Sequence, residues 1–298
     1  MNYRHAYHAG NFADVFKHAL LARILVHLTA KDTPFRYMDT HAGVGLYDLD
    51  REESRKTNEA ELGLRKFLAS PRTPALEELF KPYLDVLKAF NALEGKHYPG
   101  SPMLASHLLR RTDRLSLAEL HPDDARMMQR RFSNDRRATT GAMDGWAAMK
   151  AWLPPAERRG VILVDPPFEE PNELDRMVDA LAEGHRKWAT GMIVLWYPVK
   201  AHRDADLFAA NIQALGIPKT LRLEMLVDAG GDPRKLNGSG LIVVNPPWKL
   251  KKDAELMLPY LANTLSSGSH TAWSAQWLVG EKPDGKADVT TDEDDYSF

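Results

Sequence analysis

The sequence predicts an α/β fold: an open, largely parallel sheet of seven strands flanked by helices, with a helical insertion after the first strand. Two observations predict it. Short apolar runs recur at Phe35–Asp39, Arg114–Leu120, Arg137–Ala142, Gly160–Val164, Gly191–Trp196, Thr220–Val227 and Gly240–Asn245, and stretches of helical period separate all but the last two. Two of these runs also end on or beside carboxylates, Glu119 and Asp165. The carboxyl ends of parallel strands are where open sheets bind ligands.

The plainest run is GVILVDPPF, residues 160–168. Its β-branched half reads as a buried strand, and Pro166 and Pro167 cannot continue a hydrogen-bond ladder, so the chain leaves the sheet at Asp165. The turn gathers three groups: the Asp165 carboxylate, a Pro166 carbonyl with no ladder partner, and the flat face of Phe168. Two acceptors and a stacking surface suit a planar base that bears an exocyclic NH₂ group.

Taken from the start, Tyr3–Asn11 (YRHAYHAGN) is dense in His and aromatic residues, and Ala13–Leu28 follows with helical period. Asp14, Lys17 and His18 fall at i, i+3 and i+4, so they project together, either as a solvated face or as part of a site. The spacing of His5, His8 and His18 matches no metal pattern, and no metal is expected. After the first strand, THAGVG (residues 40–45) supplies Gly43 and Gly45 to let a ligand approach the backbone. The dinucleotide fingerprint needs a third Gly or Ala three residues on, and Asp48 stands there, which argues against NAD.

Residues 49–100 read as the insertion, with helices at Glu59–Ala69 and Ala75–Leu93 and prolines as punctuation. It serves either substrate recognition or a dimer contact. YPGSPM (residues 98–103) returns the chain with Ser101 near the pocket. Glu119, ending the second strand, can hold both hydroxyls of a ribose. The helix Pro122–Phe132 and the residues after it carry Arg126, Arg130, Arg131, Arg136 and Arg137, either a solvated face or a phosphate-contacting patch. Met143–Gly145 is a loop whose Asp144 can accept from an adenine amino group, and Trp146–Trp152 starts a helix. Helices are expected at Asn172–Trp188 and Asp204–Leu215, and Asp228–Asn237 is a basic loop bearing Arg234 and Lys235.

Composition excludes more than it proposes. With 298 residues and no cysteine, the chain can form no disulfide, no Cys-ligated zinc or iron–sulfur site, and no covalent Cys intermediate. The first residues are too polar for a secretory signal and no apolar run reaches membrane-spanning length, so a soluble cytoplasmic protein is expected. Net charge is −2, but seven acids against Lys282 and Lys286 lie in residues 281–298, so the rest carries +3. Any nucleic-acid surface must therefore be local.

DPPF resembles the [D/N]-P-P-[F/Y/W] motif of S-adenosylmethionine-dependent amino-methyltransferases, and D-x-x-x-G-x-G after the first strand resembles the first motif of class I methyltransferases. The whole set, YRHAYHAGN-x-ADV-x-KH, DTHAGVG, AELHP, MDGW and DPPFE, resembles the RlmJ-type family that methylates bacterial large-subunit ribosomal RNA. The resemblance implies a Rossmann-like class I methyltransferase domain over residues 1–48 and 101–280, the insertion at 49–100 and an acidic tail at 281–298. It implies a sheet order 3-2-1-4-5-7-6 with the seventh strand antiparallel. That order sends NPPW (residues 245–248), which also fits the DPPF pattern, to the opposite edge as a strand terminator. The implied activity is N6-methylation of one adenine in 23S ribosomal RNA by a monomer with S-adenosylmethionine, no metal and no obligatory protein partner. Implied cofactor contacts are His18, His41, Gly43, Ser101, Glu119, Asp144, Gly145 and Asp165; Asp165, Pro166 and Phe168 carry the chemistry. Tyr3 and Phe168 meet the base, and Lys17, Arg234 and Lys235 the RNA. The rivals are a DNA adenine or protein-amide methyltransferase, and a non-catalytic or NAD-using Rossmann protein.

Overall fold

A computed structural model describes residues 8–50, 59–94, 96–268 and 270–281. Tyr3, Arg4 and the acidic tail beyond Glu281 lie outside the described residues. Helix α1 (Phe12–Thr29) opens the described chain, and the Asn11 side chain caps it by accepting from the Asp14 N–H at 2.9 Å. This helix is buried nearly all round, including Asp14, Lys17 and His18, so the solvated-face reading of those three is corrected.

Strand β1 (Arg36–Asp39) leads into the glycine loop and a short strand β2 (Leu46–Asp48). β2 pairs antiparallel with β3 (His97–Pro99), so the intervening excursion leaves and returns at one place. Within the excursion, a π-helical turn Glu61–Arg65 runs into α2 (Lys66–Ala69), and α3 (Pro74–Ala89) follows with Thr73 as its cap. Phe67, Phe80, Tyr83, Val86 and Leu87 join the same core cluster as α1. The returning stretch at residues 98–103 runs into helix α4 (Ser101–Leu108), with Pro102 in its first turn, where a missing N–H costs nothing.

The remaining elements alternate: β4 (Arg114–Glu119), α5 (Pro122–Phe132), β5 (Ala138–Ala142), α6 (Gly145–Trp152), β6 (Gly160–Val164), α7 (Glu173–Lys187), β7 (Met192–Val199), α8 (His202–Ala214), β8 (Thr220–Leu226) and β9 (Gly238–Val244). The chain then adds α9 (Leu250–Thr264) and β10 (Ala272–Val279). The sheet therefore has eight strands, not seven, in the order β10-β8-β9-β7-β6-β1-β4-β5. Apart from β10 at one edge, this is the expected order, with β9 antiparallel to both neighbours. β10 escapes a pattern search because Ser274 and Gln276 interrupt its apolar residues, and Pro259 interrupts α9. Two apolar clusters fill the faces, one beneath α1, α4 and α9, the other beneath α6, α7 and α8.

The antiparallel β9 delivers NPPW to the amino edge, away from DPPF. Asn245 adopts a left-handed backbone (φ 52°) and donates through Nδ2 to the Ala189 and Gly191 carbonyls at 2.9 and 2.8 Å. Trp248 is 79% exposed. This is a turn that ends a strand. Asn245→Ala should lower unfolding free energy in urea by about 1–3 kcal/mol, from two lost hydrogen bonds and an Ala in left-handed backbone. An unchanged midpoint would show that the turn does not depend on Asn245.

Candidate active site

Parallel strands β6, β1 and β4 end side by side, and the chemistry-bearing residues follow from that. Asp165 leaves β6 and is met by Lys17 from α1, Nζ to Oδ2 at 2.5 Å. Lys17 also pairs with Asp14 at 3.1 Å, and it is 4% exposed while Asp14 is 1% exposed. Burial alone would lower the Lys17 pKa, but the two carboxylates outweigh it and hold the ammonium well above the ordinary lysine range. No backbone N–H among the described residues donates to the Pro166 carbonyl. Phe168 sits in left-handed backbone (φ 52°) and packs edge-on against Trp196 with ring centroids 5.6 Å apart. Lys17 Nζ lies 5.4 Å from the Trp196 ring centre.

Beside this, Asp39 is fully buried at the end of β1. Its Oδ2 accepts from the Ser101 hydroxyl at 2.6 Å and the Tyr37 hydroxyl at 2.7 Å, and its Oδ1 from the His41 N–H at 3.2 Å. Burial pushes its carboxyl up to about 6 despite those donors, and the charge of Asp165 adds to the rise. Glu119 ends β4 and accepts from the Gly43 N–H at 2.9 Å and the His121 N–H at 2.8 Å, which fixes the glycine loop. Burial raises its pKa too. Gly43 is left-handed (φ 58°), and a Cβ there would lie 2.2 Å from the Tyr47 hydroxyl.

Asp144 caps α6, Oδ1 accepting from Ala147 N–H at 2.9 Å, with Arg176 3.9 Å from its other oxygen. A side chain at Gly145 would strike the Thr40 carbonyl at 2.3 Å and the His41 ring at 2.8 Å, so only Gly lets α6 approach the β1 loop. His41 bonds the Thr40 hydroxyl at 2.8 Å and meets Trp146 edge-on at 5.6 Å. His18 is buried under Tyr98, Nδ1 to hydroxyl at 2.6 Å.

The structure thus gathers Lys17, His41, Gly43, Ser101, Glu119, Asp144, Gly145, Asp165, Pro166 and Phe168 at one edge, with His18 behind them on α1. Lys17 is corrected in one respect: buried between two carboxylates, it cannot face RNA phosphates. Arg234 and Lys235 lie on the exposed β8–β9 loop, and Arg234 is held by Asp232 through Nη2–Oδ2 at 2.7 Å. That loop borders the same edge, since Asn237 bonds the Val199 and Lys200 backbone at the end of β7. The arginines of residues 126–137 do not form one patch: Arg126 pairs with Asp123 at the start of α5, and Arg137 is spent on Asp135 and the Leu109 and Ser106 carbonyls. Sequence reading missed Asp39 and Trp196 as site residues. The first was visible as the Asp of D-x-x-x-G-x-G. The second needs the Val164–Leu195 register, which sets Trp196 beside Asp165.

Burial lowers the His41 pKa to about 4, with Asp165 and Asp144 only partly opposing it. Its native state prefers the neutral ring, so its stability contribution is present above about 6.5 and is lost as pH falls through about 4. Asp39 has the opposite sign: its contribution is full below the ordinary aspartate value of 3.8 and is lost as pH rises through about 6. An NMR titration should find the His41 ring neutral at pH 6, and Asp39→Asn should remove the decline between pH 4 and 6 from urea stability. A His41 midpoint near the ordinary histidine value of 6.5 would contradict the buried setting.

Residues 32–279 match the family model described as Ribosomal RNA large subunit methyltransferase D, RlmJ. The Ribosomal RNA large subunit methyltransferase J of Escherichia coli is 40% identical over 282 residues, covering 94% of this chain and 100% of that protein. The protein of the same description from Haemophilus influenzae is 39% identical over 283 residues with the same coverage. A crystal structure of a Legionella pneumophila protein superposes with a TM-score of 0.80 at 32% identity, covering 90% of this chain and 98% of that one. With the family model matched over residues 32–279 and these relatives aligned over 94% of its length, the chain belongs to the RlmJ family of ribosomal RNA large subunit methyltransferases.

Proposed function

We propose that this protein transfers a methyl group from S-adenosylmethionine to the N6 amino group of one adenine in 23S ribosomal RNA, the base being turned out of its stack. The observation that carries the reading is the Asp165–Pro166–Phe168 turn, an acceptor pair and an aromatic face anchored by Lys17. Relatives named as large-subunit ribosomal RNA methyltransferases support the RNA class. The reading needs no membrane and suits a cytoplasmic monomer; no helix among the described residues is long and apolar enough to cross one. It needs no metal either.

The residues present fit the cofactor. Glu119 Oε2 accepts from the Gly43 N–H and Oε1 from the His121 N–H, and each keeps a lone pair for a ribose hydroxyl. Asp39, held by Ser101, offers the cationic methionine portion a carboxylate, and Asp144 and Gly145 border the space for its adenine beside His41. S-adenosylmethionine supplies a methyl group already activated on a sulfonium.

The chain's own work is positioning. Asp165 and the Pro166 carbonyl accept the two amino hydrogens, which draws the nitrogen lone pair out of conjugation with the ring. Lys17 keeps Asp165 in one orientation, and Phe168, buttressed by Trp196, fixes the plane of the base. Asp165 takes up the released proton, directly or through water.

Asp165→Ala should fold, bind S-adenosylmethionine and lose about 10²-fold or more in rate, the scale for one preorganised group at a reacting centre. Lys17→Met should fall in the same direction, whereas Asn245→Ala should retain turnover. Methylated 23S RNA, digested and weighed as nucleosides, should yield N6-methyladenosine; near-normal turnover in Asp165→Ala, or the methyl on another nucleoside, would sink the assignment.

Phosphate contacts release counterions, so RNA affinity falls with salt at a log–log slope near −0.7 per contact on single strands. Arg234→Ala with Lys235→Ala should flatten the slope by up to about 1.4 while cofactor binding persists. Tyr3→Ala should slow methylation and leave the slope alone, because an aromatic ring contacts a base rather than phosphates. Identical slopes for wild type and the double variant would make the β8–β9 loop a plain connection.

A further inference from the structure

The edge that holds the site is rich in acids. Asp39, Glu119, Asp144, Asp165, Glu169, Glu170 and Glu173 follow the carboxyl ends of β1, β4, β5 and β6, and Lys17 is already committed to two carboxylates. Such an edge suits a sulfonium cation but repels a phosphate chain. Arg234 and Lys235 on the β8–β9 loop border that edge, and an RNA of any length needs further counter-charge elsewhere on the protein.

The opposite edge supplies it. β6, β1, β4 and β5 are parallel neighbours, so the segments that lead into them lie side by side at the amino edge. Backbone bonds tie these segments together, Arg36 N–H to the Arg159 carbonyl, Arg114 N–H to Phe35 and Leu115 N–H to Arg137. Residues 31–36, 110–114, 135–137 and 157–159 hold Lys31, Arg36, Arg110, Arg111, Arg114, Arg136, Arg137, Arg158 and Arg159 against Asp32, Asp113, Asp135 and Glu157. That is nine cations against four acids, +5 in a chain whose net charge is −2.

Three of the four acids are already used. Asp113 is fully buried and binds Arg110, Asp135 binds Arg137, and Glu157 binds Arg36 through both nitrogens. Arg114 and Arg159 bond backbone carbonyls only. Lys31, Arg111, Arg136 and Arg158 are exposed, and none has an acid partner among the described residues. These four precede neighbouring strands about 4.8 Å apart, so they spread over a row of about 14 Å. Folding does not explain their charge, since exposed cations in a like-charged row repel one another.

We propose that this amino-edge row is a second RNA-binding surface, which grips the phosphate backbone of a segment distant from the methylated nucleotide. The inference rests on the reading of ribosomal RNA as substrate. The strands between the edges set the separation, β6 alone spanning roughly 17 Å. A small hairpin seated at the site therefore does not reach the row, whereas a folded ribosomal RNA domain does. The row reads charge and shape rather than sequence, as arginine contacts to phosphate do.

The test is a Lys31→Gln, Arg111→Gln, Arg136→Gln, Arg158→Gln variant of the full chain, titrated by filter binding over a range of salt. Two RNAs are used: a short hairpin carrying the target adenine, and a long 23S fragment containing it. With the long fragment, the log–log slope should fall by about 3, from 0.7–0.9 for each of four lost phosphate contacts. With the hairpin, slope and methylation rate should match wild type, and S-adenosylmethionine affinity, measured separately, should show the variant folded. Unchanged binding of the long fragment overturns the proposal, and so does an equal loss on both RNAs, which would mark a general charge effect. A wild-type protein that neither binds nor methylates either RNA would instead sink the substrate reading itself.

Discussion

The buried ammonium of Lys17, shared between Asp14 and Asp165, is the contact on which the site depends. It joins the first helix to the end of the fourth parallel strand, two elements 148 residues apart in the chain. A buried cation is tolerated only with partners, and Lys17 has two. Two carboxylates on one lysine leave the group a net anion, so one of them stays available as an acceptor. Asp14 is engaged with the Gly10 N–H and is closed off, while Asp165 is partly exposed at the sheet edge. Geometry thus decides which of two like carboxylates stays accessible at the sheet edge.

Around that contact the edge is organised by hydrogen bonds from backbone and hydroxyl donors. Asp39 collects Ser101, Tyr37 and the His41 N–H, and Glu119 holds the glycine loop from the neighbouring strand. Each interaction comes from a different segment, brought together because β6, β1 and β4 run parallel and end level. Without a glycine at 145, the helix after β5 could not close onto the β1 loop. The acidic edge that results accommodates a cationic cofactor better than an RNA chain, and the compensating positive charge lies at the amino ends of the same strands.

Much of this was legible in the sequence because it depends on local rules. Proline after Asp165 ends a strand wherever that strand lies, and a glycine loop after β1 marks a ligand-facing turn in any open sheet. Strand positions for β1, β4, β6 and β8 and the bounds of α5 follow from apolar periodicity and helix-start chemistry alone. The edge strand β10 and helix α9 were not legible, because an interrupted, half-exposed pattern looks like loop until a neighbouring strand pairs with it.

What the sequence by itself determined was the fold class and the presence of DPPF and NPPW at two strand ends, properties of order along the chain, while the strand order that parts them came from the family resemblance. Tertiary structure alone decided that Lys17 is a buried partner of Asp165 rather than a surface cation, because burial depends on what other segments cover. It also decided that Trp196 supports Phe168, through a strand register no single segment encodes. The distribution of charge belongs to the same category. A composition near neutrality conceals an acidic edge and a basic one, and only the parallel arrangement of strands separates them in space.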